Sequence, residues 1–300
     1  MKVVRITNWQ DSSVTLAPVV TQIGMNSYPA LDEFETWQYA QSLSQRTVIE
    51  RSAMLLRCAR DVGSDPSEFT SRELAAWLAN QSWSASTRAT YFGHLTAWHK
   101  WLQRTNRRVD DPMIHLGRPR RPRGEPHPVS EEHMPLLLET KMHKKTRVMV
   151  YLGALEGLRA HEIAKVRGED VDLIGKTLKV TGKGGVTAVL PLHDDLAELA
   201  ADMPRKGWWF PSRTDPRRPM RSKSVTNTLK SLMMRADVPN TGHSLRHWFG
   251  TMLVDGGTDL RTTQELMRHA SLADTQRYVR VKDRRKTEAI GRLQLGQPAA

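Results

Sequence analysis

The 300-residue chain carries a single cysteine, Cys58. That excludes a disulfide framework and a cysteine-based zinc site within one chain, and it suits a reducing cytoplasm. Cys58 sits among Met54, Leu55 and Leu56, so it reads as a small buried hydrophobe rather than a reactive thiol. Long apolar runs are also missing. The N-terminus has none of signal-peptide length, and no stretch is fit to span a bilayer, so no membrane partner is expected. Acidic residues fall short of basic ones, 32 Asp+Glu against 45 Lys+Arg, leaving +13 and a pI near 10.1. Such an excess attracts polyanions: nucleic acid first, and anionic lipid a distant second, because no basic amphipathic helix with a bulky apolar face appears. A chain this long buries a core without staples and fills about two domains.

Several ligand motifs start and then fail. His161-Glu162 opens like a zinc-protease helix, but Lys165 stands where the second histidine belongs. Gly182-Lys183 has no glycine five residues earlier, and Gly184 replaces the hydroxyl that would hold magnesium in a P-loop. No dinucleotide fingerprint follows a strand. His243 and His247 have metal-compatible i, i+4 spacing, yet no carboxylate or cysteine supports them nearby in the chain.

Residues 1–28 read as a short leader, too small for a domain of their own. From 29 to 116 the periodicity is helical. Phe34, Trp37, Tyr39 and Leu43 form one stripe, and Val48, Met54, Leu55 and Cys58 a second. Thr70-Ser71 with Glu73 starts a further helix, and Ser84 to Ser86 opens one carrying Tyr91, Leu95, Trp98 and Leu102. These aromatics are at helical spacing, so core is the expected role rather than base stacking. Residues 117–127 form a linker whose Arg118, Arg120, Arg121 and Arg123 suit a phosphate backbone, while its prolines keep it extended. The second domain, 128–300, starts with Ser130 as helix cap, followed by helices at 146–155 and 160–166. A hairpin of 177–180 and 186–190 comes next, joined by the glycine-rich Thr181-Gly-Lys183-Gly-Gly185. Later helices are expected near 222–236, 243–254, 260–268, 271–279 and 283–294. The fold class is therefore mainly α with a small β-hairpin or sheet in the C-terminal domain, α+β.

The remaining constellation suits a phosphodiester. Arg159 lies at a break between helices, and His243 and Arg246 share one helix face near that helix's N-terminus. Two arginines can grip the non-bridging oxygens and neutralise charge that grows at phosphorus. Tyr278 is the natural nucleophile, and Lys183 on a hairpin tip can serve as general acid. Taken singly, Arg159 fits a salt bridge, Lys183 a solvated side chain, His269 a surface histidine and Tyr278 a packing residue.

Gly157-Leu-Arg159-Ala-His-Glu162, the hairpin around Lys183, His243-Ser-Leu-Arg246-His247, and Leu266-Met-Arg-His269 with Tyr278 nine residues on resemble the tyrosine recombinase (phage integrase) family. The resemblance spans about residues 129–285, and the helical segment 31–110 is similar to the family's core-binding domain. It implies that Arg159 and Arg246 bind the scissile phosphate and that Lys183 protonates the departing 5′ oxygen. His243 would assist proton movement at the tyrosine, His269 would hydrogen-bond the phosphate, Tyr278 would form a 3′-phosphotyrosine, and Glu162 would orient its neighbours. It further implies no cofactor, a two-domain C-shaped clamp on double-stranded DNA core sites, and a tetramer exchanging strands through a Holliday junction. Ile290 and Leu293 on the last helix would serve subunit contacts. The expected role is integration and excision of a phage or mobile element, with a directionality factor as a possible partner, in the cytoplasm of a bacterial host. A Xer-type dimer resolvase, a type IB topoisomerase and a non-catalytic DNA-binding regulator are the alternatives. Arg46, Thr87, Arg88, Lys100 and Arg104 are the DNA-contact candidates of the first domain. Two departures stand out: Arg268 where a glycine commonly precedes the histidine, and a Val186–Ala188 segment without the basic residues often found after the hairpin.

Overall fold

The structure, a computed structural model, describes residues 28–80, 82–120, 126–182, 185–269 and 271–278. The chain divides into two compact units, with the break between Arg123 and Gly124. Among the described residues no helix is long and apolar enough to cross a membrane.

The first unit is built of helices. α1 (Pro29–Ala40) begins on a proline, whose missing N–H costs nothing in a first turn. α2 (Gln45–Val62) is capped by Ser44 and stops at Gly63, whose φ of +82° suits glycine. α3 (Ser71–Leu78) opens on a reciprocal cap: the Glu73 N–H donates to Thr70 Oγ1 at 3.2 Å, and the Thr70 N–H to Glu73 Oε2 at 2.8 Å. α4 (Ala85–Arg104) starts from Ser84, whose Oγ accepts the Thr87 N–H. The start signals at Thr70 and Ser84 are the ones the chain uses.

The buried residues of α4, Phe92, Leu95, Trp98, His99, Trp101 and Leu102, recur three and four apart and define one inward face. Trp98 meets Phe34 edge-on at 5.1 Å between centroids and donates its indole N–H to the Pro66 carbonyl at 2.8 Å. These rings are core, and the Trp98 N–H is satisfied inside the protein. One expected stripe is narrower than its spacing suggested. Leu31, Phe34 and Gln38 are buried in α1, but Tyr39 is 43% exposed, because five residues past Phe34 turns it about 140° away. Cys58 is buried, and burial, then Asp61 and Glu73, push its thiol up to about 12, leaving it protonated and inert.

His99 is fully buried, and neither ring nitrogen has a partner. Burial, with the charge of Arg108 nearby, holds its pKa down to about 3. The unfolded chain would bind a proton below about pH 6.5 and the folded one would not, so stability falls as the medium is acidified. Going from pH 7 to pH 5 should cost about 2 kcal/mol through this residue. Denaturant titrations of the protein and of His99→Phe at both pH values should show the variant losing less; equal losses would assign the acid sensitivity elsewhere.

The second unit is helical with a small sheet. α5 (His133–Glu139) and α6 (Lys144–Ala154) lead to the short α7 (Ala160–Ile163). An antiparallel sheet follows in the order β1 (Val171–Asp172), β2 (Thr177–Thr181), β3 (Thr187–Pro191). Leu178 faces Leu190 and Val180 faces Ala188, so the apolar side of the hairpin turns to the core while Lys179 points out. α8 (Asp194–Ala201), α9 (Ser222–Arg235), α10 (Gly242–Asp255), α11 (Leu260–Met267) and α12 (Leu272–Gln276) complete the unit. α10 packs closely on α6: a β-carbon at Gly153 would lie 3.0 Å from Leu245 Cβ. That approach sets α10 beside the turn between α6 and α7. There Gly157 has φ +59°, and any side chain would come within 2.3 Å of Phe249.

Several elements differ from expectation. The helix after Ser130 begins at His133, because Ser130 to Glu132 form a turn in which the serine hydroxyl accepts the His133 N–H at 3.2 Å. α7 ends at Ile163 because Val166 leaves the helix to accept the Trp209 N–H at 3.1 Å. α12 ends at Gln276, so Tyr278 follows the helix, its N–H on the Thr275 carbonyl at 3.0 Å. The sheet gains a third strand, β1, beyond the hairpin. The expected helix at 283–294, with Ile290 and Leu293, lies outside the described residues, as do Lys183, Arg121 and Arg123.

Candidate active site

α7, α10, α11 and the turn after α12 deliver the site. The α6–α7 turn presents Arg159 as the residue just before α7. Glu162, three residues on, folds back: its Oε2 accepts the Arg159 N–H at 2.7 Å and its Oε1 accepts Arg159 Nη1 at 3.1 Å. The carboxylate is 1% exposed while the Arg159 side chain keeps 33%, so Glu162 is the anchor and Arg159 the reaching group. Burial pushes the Glu162 pKa up. The charge of Arg268, the Arg159 N–H and the charges of Arg159 and Arg246 more than offset this and hold it below the ordinary carboxylate range.

Arg246 lies one turn into α10 and is 1% exposed. Its Nη1 donates to the Gly157 carbonyl and its Nη2 to the Met267 carbonyl, so both ends of the fork are tied to backbone of other elements. Burial, then the charges of Arg159 and Arg268, pull its pKa down to about 9, which leaves it cationic at neutral pH. Three guanidinium groups thus surround one ionised carboxylate. Glu156, the other buried acid nearby, is pushed up to about 7 by burial and supplies only part of a charge. The cluster has excess positive charge in a poorly hydrated place, the condition that favours an anionic ligand.

Tyr278 is 5% exposed and packs on Met267 and Val254. Its hydroxyl lies 2.8 Å from His247 Nδ1. Burial raises the phenol's pKa against the charges of Arg246, Arg277 and Arg159, so the resting residue is protonated. His247 is pulled down to about 3, by burial first and then by His243, Arg277, Arg246 and His127, so its ring is neutral and can accept. His243 meets His247 edge-on at 4.4 Å; partial desolvation and the charges of Arg246, Arg159 and Arg277 hold it below the usual histidine range. Both histidines line an open cleft of about 790 Å³ between α10 and the segment 126–131. His269 stacks on the Tyr278 ring at 6.1 Å, and its Nδ1 lies 2.9 Å from Thr275 Oγ1, which fixes the ring's orientation. Burial, then Arg246 and Arg159, bring it to about 4.

The structure thus gathers Arg159, Glu162, His243, Arg246, His269 and Tyr278 in one place. Lys183 is outside the described residues, but the adjacent Gly182 lies against the site: a β-carbon there would be 3.8 Å from Glu162 Oε1. Of the first-unit candidates, Arg46 is exposed and paired with Glu50 at 2.7 Å, and the Thr87 hydroxyl lies 2.9 Å from Ser84 at the helix start. Arg88 is half-buried on α4, whereas Lys100 and Arg104 are exposed, as are Arg118 and Arg120. Sequence reasoning gave no role to four residues that shape the site: His247, Arg268, Thr275 and Gly250. For His247 the i, i+4 spacing to His243 was the available signal, read only as a metal possibility.

Gly250 is the floor under the nucleophile candidate. A β-carbon there would lie 2.8 Å from Tyr278 Cε1 and 2.6 Å from Met267 Sδ, closer than packed atoms tolerate. Gly250→Ala should cost about 1–3 kcal/mol of stability and displace the Tyr278 hydroxyl. Thermal melting together with strand cleavage at saturating DNA would reveal this; unchanged cleavage would mean that Met267 alone yields.

Residues 130–285 match the family model described as the phage integrase family. The tyrosine recombinase XerA of Pyrococcus furiosus is 29% identical over 276 residues, covering 88% of this chain and 94% of that protein. The integrase from mycobacterium phage Brujita is 49% identical, covering 89% of this chain and 93% of the other, with a TM-score of 0.48. A lambda integrase dimer bound to a COC′ core site shares the fold at 17% identity, with a TM-score of 0.68 and coverage of 90% and 79%. The chain belongs to the phage integrase family and is a tyrosine recombinase.

Proposed function

We propose that this recombinase acts at a specific DNA site through Tyr278, and that its role is integration and excision of a phage or other mobile element. The observation that carries the mechanism is the Tyr278 hydroxyl, hydrogen-bonded at 2.8 Å to a neutral histidine within the field of Arg246 and Arg159. In the proposed step Arg159 and Arg246 hold the non-bridging oxygens of the scissile phosphate, with His269 hydrogen-bonding one of them. Tyr278 Oη attacks phosphorus, forming the 3′-phosphotyrosine bond as the bond to the 5′ oxygen breaks. The phenolic proton passes to His247 Nδ1, with His243 beside it, and Lys183 gives a proton to the departing oxygen. His247 is a weak base first because it is buried and then because His243, Arg277, Arg246 and His127 crowd it with cationic charge. A phosphate anion offsets those cations and raises its basicity when it is needed. The phosphotyrosine conserves the energy of the phosphodiester, so rejoining calls for no ATP.

A tetramer on two sites, passing through a Holliday junction, completes the reading, with the two units forming a clamp around duplex DNA. Lys100, Arg104, Arg118 and Arg120 are the exposed cations best suited to phosphate contact. Arg46 must first leave Glu50. The match to the phage integrase family model supports the strand-cleavage chemistry on which the integration role would rest. The similarity to XerA along most of both chains favours a second reading, resolution of replicon dimers by the same chemistry. Incubation with a nicked suicide duplex should trap a covalent adduct mapping to Tyr278. Paired-site reporters, one pair per role, would then tell integration from dimer resolution. Wild type that bound its site and formed no adduct would refute the proposal in favour of a non-catalytic regulator.

A further inference from the structure

Arg268 has no part in the mechanism above, yet it is held as firmly as the residues that do. Its backbone is left-handed, φ +53°, a conformation that disfavours any residue bearing a β-carbon. Its side chain is nevertheless 10% exposed and runs back beneath the α6–α7 turn. Nη1 donates to the Leu266 carbonyl at 2.7 Å; Nη2 donates to the Gly157 carbonyl at 3.0 Å and to Glu162 Oε2 at 3.1 Å.

Both of the last two acceptors are shared. Glu162 Oε2 also takes the Arg159 N–H, while the other oxygen of that carboxylate aims the Arg159 guanidinium. The Gly157 carbonyl also takes Arg246 Nη1. One side chain therefore braces the anchor of each phosphate-facing arginine. We infer that Arg268 is a positioning residue, acting through Glu162 and Gly157 to set the placement of Arg159 and Arg246. The inference rests on the reading of this site as a holder of the scissile phosphate.

The test uses the full chain and a suicide duplex that wild type cuts, drawn from a randomised pool. Arg268→Gly relieves the backbone strain and removes the brace. It should melt lower than wild type, because the buried Glu162 carboxylate loses an ion-pair partner. At a temperature where it stays folded it should bind the duplex nearly as well, yet form adduct on the order of 10²-fold more slowly. Arg268→Lys, which keeps the charge but lacks the fork that reaches both the Gly157 carbonyl and Glu162, should recover part of that loss. In a Glu162→Gln background, Arg268→Gly should cost less than it does in wild type, because the branch through Glu162 is already weakened and only the branch through Gly157 remains. Wild-type cleavage by Arg268→Gly, or the same fold-loss with and without Glu162→Gln, would overturn the inference. If wild type itself cut no duplex, the functional reading would fail instead.

Discussion

Tyr278→Phe should bind DNA with near-native affinity and yield no covalent adduct. The substitution removes one oxygen and leaves the ring, so the packing on Met267 and Val254 survives. It also frees His247 Nδ1 from its contact with the phenol at 2.8 Å. Loss of one such hydrogen bond costs about 1 kcal/mol of stability, too little to unfold a domain with a core of this size. DNA affinity comes from cations spread over the protein, which the substitution does not touch. Chemistry, by contrast, has lost the atom that attacks. The measurement is a denaturing gel of protein with labelled suicide duplex, alongside an affinity determined at the same salt. Adduct formation by the variant would move the nucleophile to another residue and undo the proposed mechanism.

The second large effect is expected at Arg246. Arg246→Lys keeps a formal charge but not the fork that reaches both Gly157 and Met267 carbonyls. An ammonium cannot span both; Gly157 keeps Arg268 Nη2 as a donor, whereas the Met267 carbonyl loses the Arg246 donor whenever the ammonium turns to Gly157. The charge is also at risk. Burial and two neighbouring guanidinium groups already bring the arginine to about 9, and lysine, which starts lower, would lose its proton sooner. Adduct formation at saturating DNA should fall roughly 10²–10³-fold, the loss seen when one preorganised donor to a transition-state oxyanion is removed. A variant cutting within about tenfold of the native rate would show that charge at this position suffices without bidentate geometry.

Both effects fall on residues that were visible in the sequence. Tyr278, Arg246 and Arg159 announced themselves through residue type, order and spacing in the chain. So did the helical first unit, whose start signals at Thr70 and Ser84 are local: a hydroxyl or carboxylate bonding an N–H three residues away needs no distant partner. α8 was legible on the same grounds, with His193 ahead of Asp194 and Asp195, although no helix was assigned there. The single cysteine's inertness also followed from its neighbours in the chain, since burial is what raises its thiol.

The brace around the arginines was not legible, because the bonds that tie Arg268 to Glu162 and Gly157, and Arg246 to Gly157, join residues far apart in the chain. Gly157 accepts from Arg246 and Arg268, and Tyr278 reaches His247 across 31 positions. Arg268 looked like a departure that disturbed DNA contacts; its backbone geometry and its burial against Glu162 appear only once α7 and α11 have packed together. Gly250 matters for the space it leaves to a ring from another element, a property no local pattern carries. Residue types and spacings settle which groups can react, since reactivity is intrinsic to a side chain. Protonation state and aim depend on desolvation and on partners brought in by packing, and those exist only in the folded chain.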